Sequence, residues 1–409
     1  MPQVVVMVTT SYPRFPGDSV GTFMEPIARS VAARGHEVHV VAPWHPLVAR
    51  PADDGGVHLH FYRYAPVPSL NVFGYAAAMR ADVSLRGAAY IAAPLALAAG
   101  WHAARSVARR CRATIMHGHW VVPGGVMAAA AAPALPLVIS LHGSDVYVAE
   151  TVAPATLAAR HAFRRAGYVT ACSDDLARRA LALGAAPDRI GTVPYGVDVD
   201  RFRPDSTARA ARRLELGVGD RTPLVLAAGR LVRKKGFEYL IDALARLPGV
   251  VLALAGEGTL EAELRERARR AGVADRVRCL GNVPQERVGE LFSAADVVCV
   301  PSVRDDRGNV DGLPNVLMEA LAAGSPVVTT AAGGILSVVT DDVTGLIVPE
   351  RDSEAIAAAL ARIIAQPALG RRLGSAARTL VEQRFGWSRA AEAFEAAYLR
   401  ALAFKSSRS

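Results

Sequence analysis

Two acids with seven residues between them, Asp311 and Glu319, flank the turn Gly312-Leu313-Pro314-Asn315. A helix beginning near Leu313 would leave Asp311 on the loop and Glu319 about one turn inside the helix. Both then project near a helix N-terminus, whose free backbone N–H groups attract anions. Alone, the pair reads equally well as a helix cap and a solvated acid. The strand before it and the Gly324-Ser325-Pro326 strand entry after it make the whole pattern more specific. A second run, Gly229-Arg230-Leu231-Val232-Arg233-Lys234-Lys235-Gly236, places a basic loop between a strand and a helix. Only three of the 47 basic residues are lysine: Lys234, Lys235 and Lys405. In a chain that otherwise uses arginine, adjacent lysines here argue against an ordinary solvated basic loop. Cations held at a strand end suit an anion whose charge grows as a bond breaks.

Other strand ends carry histidine and glycine. His142-Gly143-Ser144-Asp145 follows one apolar run, and His117-Gly118-His119-Trp120 ends the run before it. A lone histidine at a strand end is more often structural than catalytic. Two histidines two residues apart invite a metal, but no third ligand is evident, so cleft lining is the better reading and no metal is expected. Gly256-Glu257-Gly258 permits close backbone approach, although a tight strand–helix turn would look the same. A Gly/Pro-rich loop from Ser11 to Gly21 follows the first apolar run.

The elements that must hold these residues repeat twice. Strand-like runs in the first half are Val4–Val8, Val38–Val41, Thr114–His117, Leu137–Leu141, Tyr168–Ala171 and Ile190–Val193. In the second half they are Leu224–Ala228, Val250–Ala255, Val277–Leu280, Val297–Val300, Val327–Thr330 and Gly345–Val348. Continuous apolar strands alternating with alanine-rich helices predict parallel sheets covered on both faces. The fold class is therefore α/β, with two doubly wound, Rossmann-like domains facing a central cleft and ligands at the carboxyl ends of strands. The expected divisions are 1–205, 206–385 and a final helix, 386–409, crossing back to the first domain.

Bulk properties agree. A chain of 409 residues is long for one core and natural for two. Half the residues are hydrophobic, which excludes disorder. The cysteines Cys111, Cys172, Cys279 and Cys299 show no metal-type pair and read as free thiols in a reducing compartment. The apolar opening is too short for a signal peptide, and Ala88–Trp101 is too short and alanine-rich to span a bilayer. A cytoplasmic protein is expected. The net charge of +9 is not interleaved with aromatics, so nucleic acid is not an expected partner. The segment from Phe73 to Arg112, with Arg80, Arg86, Arg105, Arg109, Arg110 and Arg112, reads either as helices with a solvated basic edge or as a surface touching anionic lipid on the inner face of the membrane.

The stretch Asp311 to Val328 resembles the signature of glycosyltransferase family 4, and the resemblance runs from the first strand to the last helix. It implies a GT-B enzyme moving a sugar from a nucleotide diphosphate of UDP or GDP type to a glycan, lipid-linked or small-molecule hydroxyl. It further implies retention of configuration, no metal and no cofactor. By this resemblance Glu319 takes the nucleotide ribose and Asp311 the donor sugar, where the family's usual acid is glutamate. Arg230 and Lys235 take the diphosphate, at about 4 kcal/mol for one contact at 4 Å and an effective dielectric near 20. Gly256, Gly258 and, after the next strand, Val283 surround the base, and Gly312, Leu313, Pro314 and Asn315 form the turn beside the donor. His142 and Asp145 match the acceptor-side His-Gly-Ser-Asp string, His119 faces the acceptor, and Gly21 lies near phosphate. After Gly333-Gly334 the family's Pro-Glu is replaced by Leu336-Ser337, where Ser337 is expected to cap a helix. Two alternatives remain: a nucleotide-sugar epimerase of the same fold, which would isomerise its donor without an acceptor, and a non-catalytic two-lobed sugar-binding protein.

Overall fold

The computed structural model describes residues 1–407 other than 19, 66, 68–70, 72, 73, 76–78, 82, 83 and 86. For residues 79–81, 84, 85 and 87–91 only the backbone is described. Phe73 and Arg86 of the basic segment thus lie outside the described residues, as does the Arg80 side chain.

The chain forms two compact units, Met1–Gly196 with Trp387–Ser409, and Val197–Gly386. The division falls before the expected 205/206 boundary. Val197 N–H donates to Phe385 O at 2.8 Å, which ties residues 197–205 to the second unit.

In the first unit the strands are β1 (Val4–Val8), β2 (Glu37–Pro43), β3 (Val57–Tyr62), a short antiparallel hairpin of β4 (Met79–Ala81) and β5 (Ser84–Leu85), then β6 (Ile115–His119), β7 (Leu137–Leu141), β8 (Tyr168–Ala171) and β9 (Ile190–Thr192). Seven of them form a parallel sheet in the order β3-β2-β1-β6-β7-β8-β9. The chain starts in the middle, builds to one side, then returns and builds to the other. Strands buried on both faces need apolar residues at nearly every position, which is why β1 is all Val and Met and β7 is Leu, Val and Ile apart from Ser140. The last helix, Trp387–Ser406, belongs to this unit and buries Ala391, Phe394, Tyr398 and Ala401, a stripe at three- and four-residue spacing. Arg34 Nε donates to its Glu395 at 2.8 Å.

The second unit contains β10 (Leu224–Ala228), β11 (Val251–Ala255), β12 (Val277–Gly281), β13 (Val297–Val300), β14 (Val327–Thr330) and β15 (Leu346–Val348). Their order, β12-β11-β10-β13-β14-β15, repeats the same logic, and every pairing is parallel. Val225, Leu252 and Val297 of this sheet share one core with Phe237, Leu240, Ile356 and Leu360 from the helices.

An arginine-rich stretch opens this unit. It forms the helix Ser206–Glu215, capped by Asp205, whose side chain accepts from the Thr207 and Ala208 N–H groups. Arg213 is 1% exposed; its guanidinium donates to Ala294 O at 3.0 Å and Gly219 O at 2.8 Å, and lies 3.3 Å from Asp296. Asp296 also takes Arg209 at 2.6 Å and the Leu224 N–H, the first of β10, at 2.7 Å. Removing the guanidinium would strand buried carbonyls, so Arg213→Ala should cost about 3–5 kcal/mol. A thermal melt of the variant should show the second unit unfolding first; an unchanged melt would refute the anchoring role.

Candidate functional site

In each sheet the direction of building reverses beside the first strand, and loops that leave neighbouring strands there in opposite directions open a crevice at their carboxyl ends. In the second unit these are the loops after β10 and β13. Gly236 fastens them together: its φ is +65°, and an added Cβ would lie 2.0 Å from Pro301 O, directly after β13. Only glycine fits this approach. The loop therefore carries Lys234 and Lys235 against the segment that ends in Asp311. Lys235 Nζ donates to Asp311 Oδ2 at 2.6 Å, and Lys234 Nζ lies 3.3 Å from Oδ1. Ser302 Oγ is 3.5 Å from the same carboxylate. Burial alone would raise the Asp311 pKa; Lys235 and then Lys234, with a smaller effect of Arg230, overcome it and hold the carboxyl well below the usual range.

Gly312, Leu313 and Pro314 are buried, and the helix starts at Asn315 rather than near Leu313, running to Ala322. Pro314 precedes it in an extended conformation, which delays the first helical residue. Glu319 lies half-buried in its second turn. Burial pushes its carboxyl up to about 7, against a hydrogen bond from Gln285 and the charges of Arg201 and Lys235. Lys235 thus acts on both acids, and Arg230, on the exposed start of its loop, acts on Asp311. Val283 is half-buried on the loop that leads into the helix of Gln285.

An added Cβ would stand 1.9 Å from Gly229 O at Gly256 and 2.4 Å from Leu231 O at Gly258, so neighbouring backbone fills the space that these glycines leave. Leu231 N–H donates to Glu257 O at 2.9 Å, which stitches the loops after β10 and β11. Ser337 does not cap a helix: it lies inside a single 3-10 turn, Ile335–Ser337, that follows Gly334.

In the first unit the corresponding loops follow β1 and β6. His142 comes one residue after β7. Its Nδ1 is 2.8 Å from Tyr195 Oη, its Nε2 is 3.1 Å from His119 Nδ1, and its ring lies 4.6 Å from the Trp120 ring and 4.9 Å from that of Phe23. Burial drives the His142 pKa down to about 3, so this imidazole is neutral at pH 7. His119 is fully buried, stacked on His142 and tilted against His117, and burial also lowers its pKa. It therefore supports His142 from behind instead of lining an open wall. His117 is fixed by Tyr398 Oη at 2.9 Å and Ser140 Oγ at 2.7 Å. Asp145 is buried too, and accepts the N–H groups of Val121 at 2.8 Å, Gly143 at 2.9 Å and His142 at 3.2 Å. Burial raises its pKa against those three donors. With its oxygens accepting backbone N–H groups, Asp145 shapes the His142 turn. Gly21, at φ +69°, packs against Ser11 at the end of its loop.

Sequence reasoning missed Lys234 as a partner of Asp311, Gln285 as a partner of Glu319, and the aromatic enclosure of His142 by Phe23, Trp120 and Tyr195. The Lys-Lys and His-x-His-Trp strings were the available signals. Trp120 holds a φ of +62°, a strained value for a bulky residue and one that concentrates at functional sites.

Comparison with known proteins identifies the family. Residues 20–201 match the family described as Glycosyltransferase Family 4, and residues 209–380 match Glycosyl transferases group 1. The D-inositol 3-phosphate glycosyltransferase of Xylanimonas cellulosilytica is 41% identical over 56% of this chain, and the chain spans only 55% of that relative. The GDP-mannose-dependent alpha-(1-6)-phosphatidylinositol monomannoside mannosyltransferase of Mycobacterium tuberculosis is 31% identical over 94% of both chains. Among solved structures, sucrose-phosphate synthase from Thermosynechococcus elongatus superimposes with a TM-score of 0.77 at 21% identity, over 98% of this chain and 99% of that one. HepE of Anabaena, solved with UDP and glucose, gives 0.76 at 20% identity, over 96% and 98%. On the strength of the match to nearly all of the mycobacterial enzyme, and of the two doubly wound units, the chain belongs to glycosyltransferase family 4 and has the GT-B fold.

Proposed function

We propose that this chain transfers a sugar, with retention of anomeric configuration and without a metal, from a UDP- or GDP-linked donor to a hydroxyl of a glycan, lipid-linked glycan or small molecule. The observation that carries this reading is the pair of lysines converging on one buried carboxylate at the switch point of the second sheet. A nucleoside diphosphate is an anion that convergent ammonium groups at a strand end can receive. Lys235 and Arg230 take the diphosphate, Glu319 the ribose hydroxyls and Asp311 a hydroxyl of the sugar. Val283 borders the base, and the turn Gly312-Leu313-Pro314-Asn315 presents backbone N–H groups to the donor. Gly256 and Gly258 keep the loops beside it closely packed. Gly21, His119 and Asp145 support the acceptor side, and His142 acts as a neutral hydrogen-bonding group.

The acceptor oxygen bonds to the anomeric carbon on the face that the diphosphate leaves. The bond from that carbon to the phosphate oxygen breaks, and the leaving oxygen takes the acceptor proton. Cations aimed at the departing oxygens lower this barrier because the charge there is greatest in the transition state. No pair of carboxylates on opposite sides of the sugar is invoked, which separates this reading from two-step glycosidase chemistry. The GDP-mannose and phosphatidylinositol in the mycobacterial relative's name make GDP-mannose and a lipid-linked acceptor the first substrates to try.

A lipid-linked acceptor fits the helix Gly87–Arg110 of the first unit. It exposes Leu95, Leu97 and Trp101 and ends in Arg109 and Arg110, a combination suited to peripheral contact with anionic lipid. Among the described residues no helix is long and apolar enough to cross a membrane. Replacing Arg109, Arg110 and Arg112 by alanine should reduce sedimentation with phosphatidylglycerol vesicles, and the difference should shrink in high salt. Equal sedimentation of both proteins would remove the membrane surface from the proposal.

Lys235→Ala should lower turnover by orders of magnitude in an intact fold, because its charge acts mainly on the leaving group. Near-normal sugar transfer by this variant would end the assignment. Glu319 supplies a pH test. Its folded-state pKa is raised, so the free protein keeps this proton up to about pH 7. A ribose hydroxyl is best received by the carboxylate, so binding expels the proton and nucleoside diphosphate affinity should rise from pH 6 to pH 8. The phosphate titrates in the same range, so the comparison is with Glu319→Gln, which should bind more weakly and lose part of the slope. Identical slopes by titration calorimetry would take the ribose away from Glu319.

A further inference from the structure

A second cluster of chemistry-bearing side chains lies at the opposite end of the first sheet's logic, on β2 and the edge strand β3. These strands pair in parallel with His39 beside His58 and Val41 beside His60. Side chains alternate along a strand, so Glu37 and His39 share a face, as do His58 and His60. One face of this two-strand edge therefore presents three imidazoles and a carboxylate. Glu37 Oε1 is 2.8 Å from His39 Nε2, and the His58 ring stacks on that of His39 with centroids 4.7 Å apart. One ligand atom each from Glu37, His39 and His58 can be chosen so that all three lie within 4.8 Å of one another. On the far side of His39, Nδ1 is 3.0 Å from His60 Nε2.

We infer that Glu37, His39 and His58 form a binding site for a first-row divalent transition cation of the zinc class, with His60 orienting His39 from behind. The donor set decides the class: imidazole nitrogens with one carboxylate suit zinc, nickel, cobalt or copper, whereas magnesium and calcium prefer oxygen alone. Geometry is compatible. Zinc bonds of about 2.0–2.2 Å require the ligand atoms to close to roughly 3.3 Å from one another. Glu37 is exposed and His58 half-buried, so both have room to move, while His39 is 8% exposed and supplies the fixed point. A metal-bound histidine characteristically uses its other nitrogen to bond an outer partner, which fixes the tautomer. The His39–His60 contact has that arrangement. Asp53, 3.7 Å from His58 Nδ1, offers a second carboxylate near the site, and Arg110 adds an opposing positive charge near His60. Three protein ligands leave a fourth position to water.

Such a cation would clip the edge strand β3 to β2. Edge strands have an unpaired side and are held less firmly than interior ones, and a ligand that binds only the folded state stabilises it. The site makes no contribution to sugar transfer, and its test is independent of the donor reading. The full-length protein, free of any histidine tag and stripped with EDTA, would be titrated with zinc chloride and with magnesium chloride. Zinc should bind at one ion per chain and raise the melting temperature, and magnesium should do neither. Cobalt should give visible absorption bands of a low-coordinate site. Glu37→Gln and His58→Gln, both at accessible positions, should each weaken zinc binding by about tenfold or more and abolish the cobalt bands, while melting like the wild type in EDTA. Failure of the wild type to bind zinc, or equal binding by the Glu37→Gln/His58→Gln double variant, would overturn the inference.

Discussion

The carboxylate of Asp311 shared by two lysines is the interaction around which the second unit's site is organised. Burying an acid and two ammonium groups is costly unless each finds its counter-charge, and removal of one member leaves the others exposed to that cost. At an effective dielectric near 20, each contact at 3–4 Å contributes on the order of 4 kcal/mol of attraction. That attraction keeps Asp311 ionised far below its ordinary range and fixes the loops after β10 and β13 with respect to each other. Two ammonium groups thus meet one carboxylate at the switch point of this sheet.

The two units apply one topology to different electrostatics. In both, a parallel sheet begins at its centre and reverses direction beside the first strand, so loops separate at the strand ends. The second unit fills that place with charge. The first fills it with aromatic rings and imidazoles that burial keeps neutral: His142 is held by Tyr195 and His119, and its turn by the backbone bonds to Asp145. A charged site recognises a diphosphate, while a neutral, aromatic-walled one suits sugar hydroxyls and ring faces. Under the proposed reaction this division of labour gives the donor's charged diphosphate to the second unit and the recognition of sugar hydroxyls to the first.

Twelve of the sheet strands were legible, the interior ones because burial on both faces favours a largely apolar run, and β7, β8, β10, β13 and β14 begin and end where the runs do. The strand β3 was not legible for a physical reason: in Val57-His58-Leu59-His60-Phe61-Tyr62 the histidines break the apolar run that marks a strand buried on both faces. An edge strand can have a polar face, and this one carries the cluster inferred to bind a cation. The glycines at 256 and 258 were visible as permissive positions, but sequence cannot say whether the vacated space holds a ligand or a neighbouring carbonyl. His119 and Asp145 illustrate the same ambiguity. Residue type predicts that a buried imidazole or carboxylate has partners; only the fold reveals that those partners are His142 and three backbone N–H groups.

The aspartate at position 311 also becomes intelligible from its neighbours. Compared by length alone, it should stop roughly an ångström short of a glutamate, leaving a gap to a sugar hydroxyl. The structure instead directs its carboxylate to the lysines of its own unit, at 2.6 Å and 3.3 Å, with the Ser302 hydroxyl beside it. Lys234 is 5% exposed, and a buried ammonium needs an acid within reach. The shorter side chain satisfies that need from a fixed loop, where a glutamate would have to fold its extra methylene back. Asp311 is thus a counter-ion first. Under the proposed reaction, an arriving diphosphate competes for Lys235, the less buried of the two, and Lys234 alone keeps Asp311 in place. The carboxylate then has one oxygen less encumbered at the moment the donor sugar requires an acceptor for its hydroxyl.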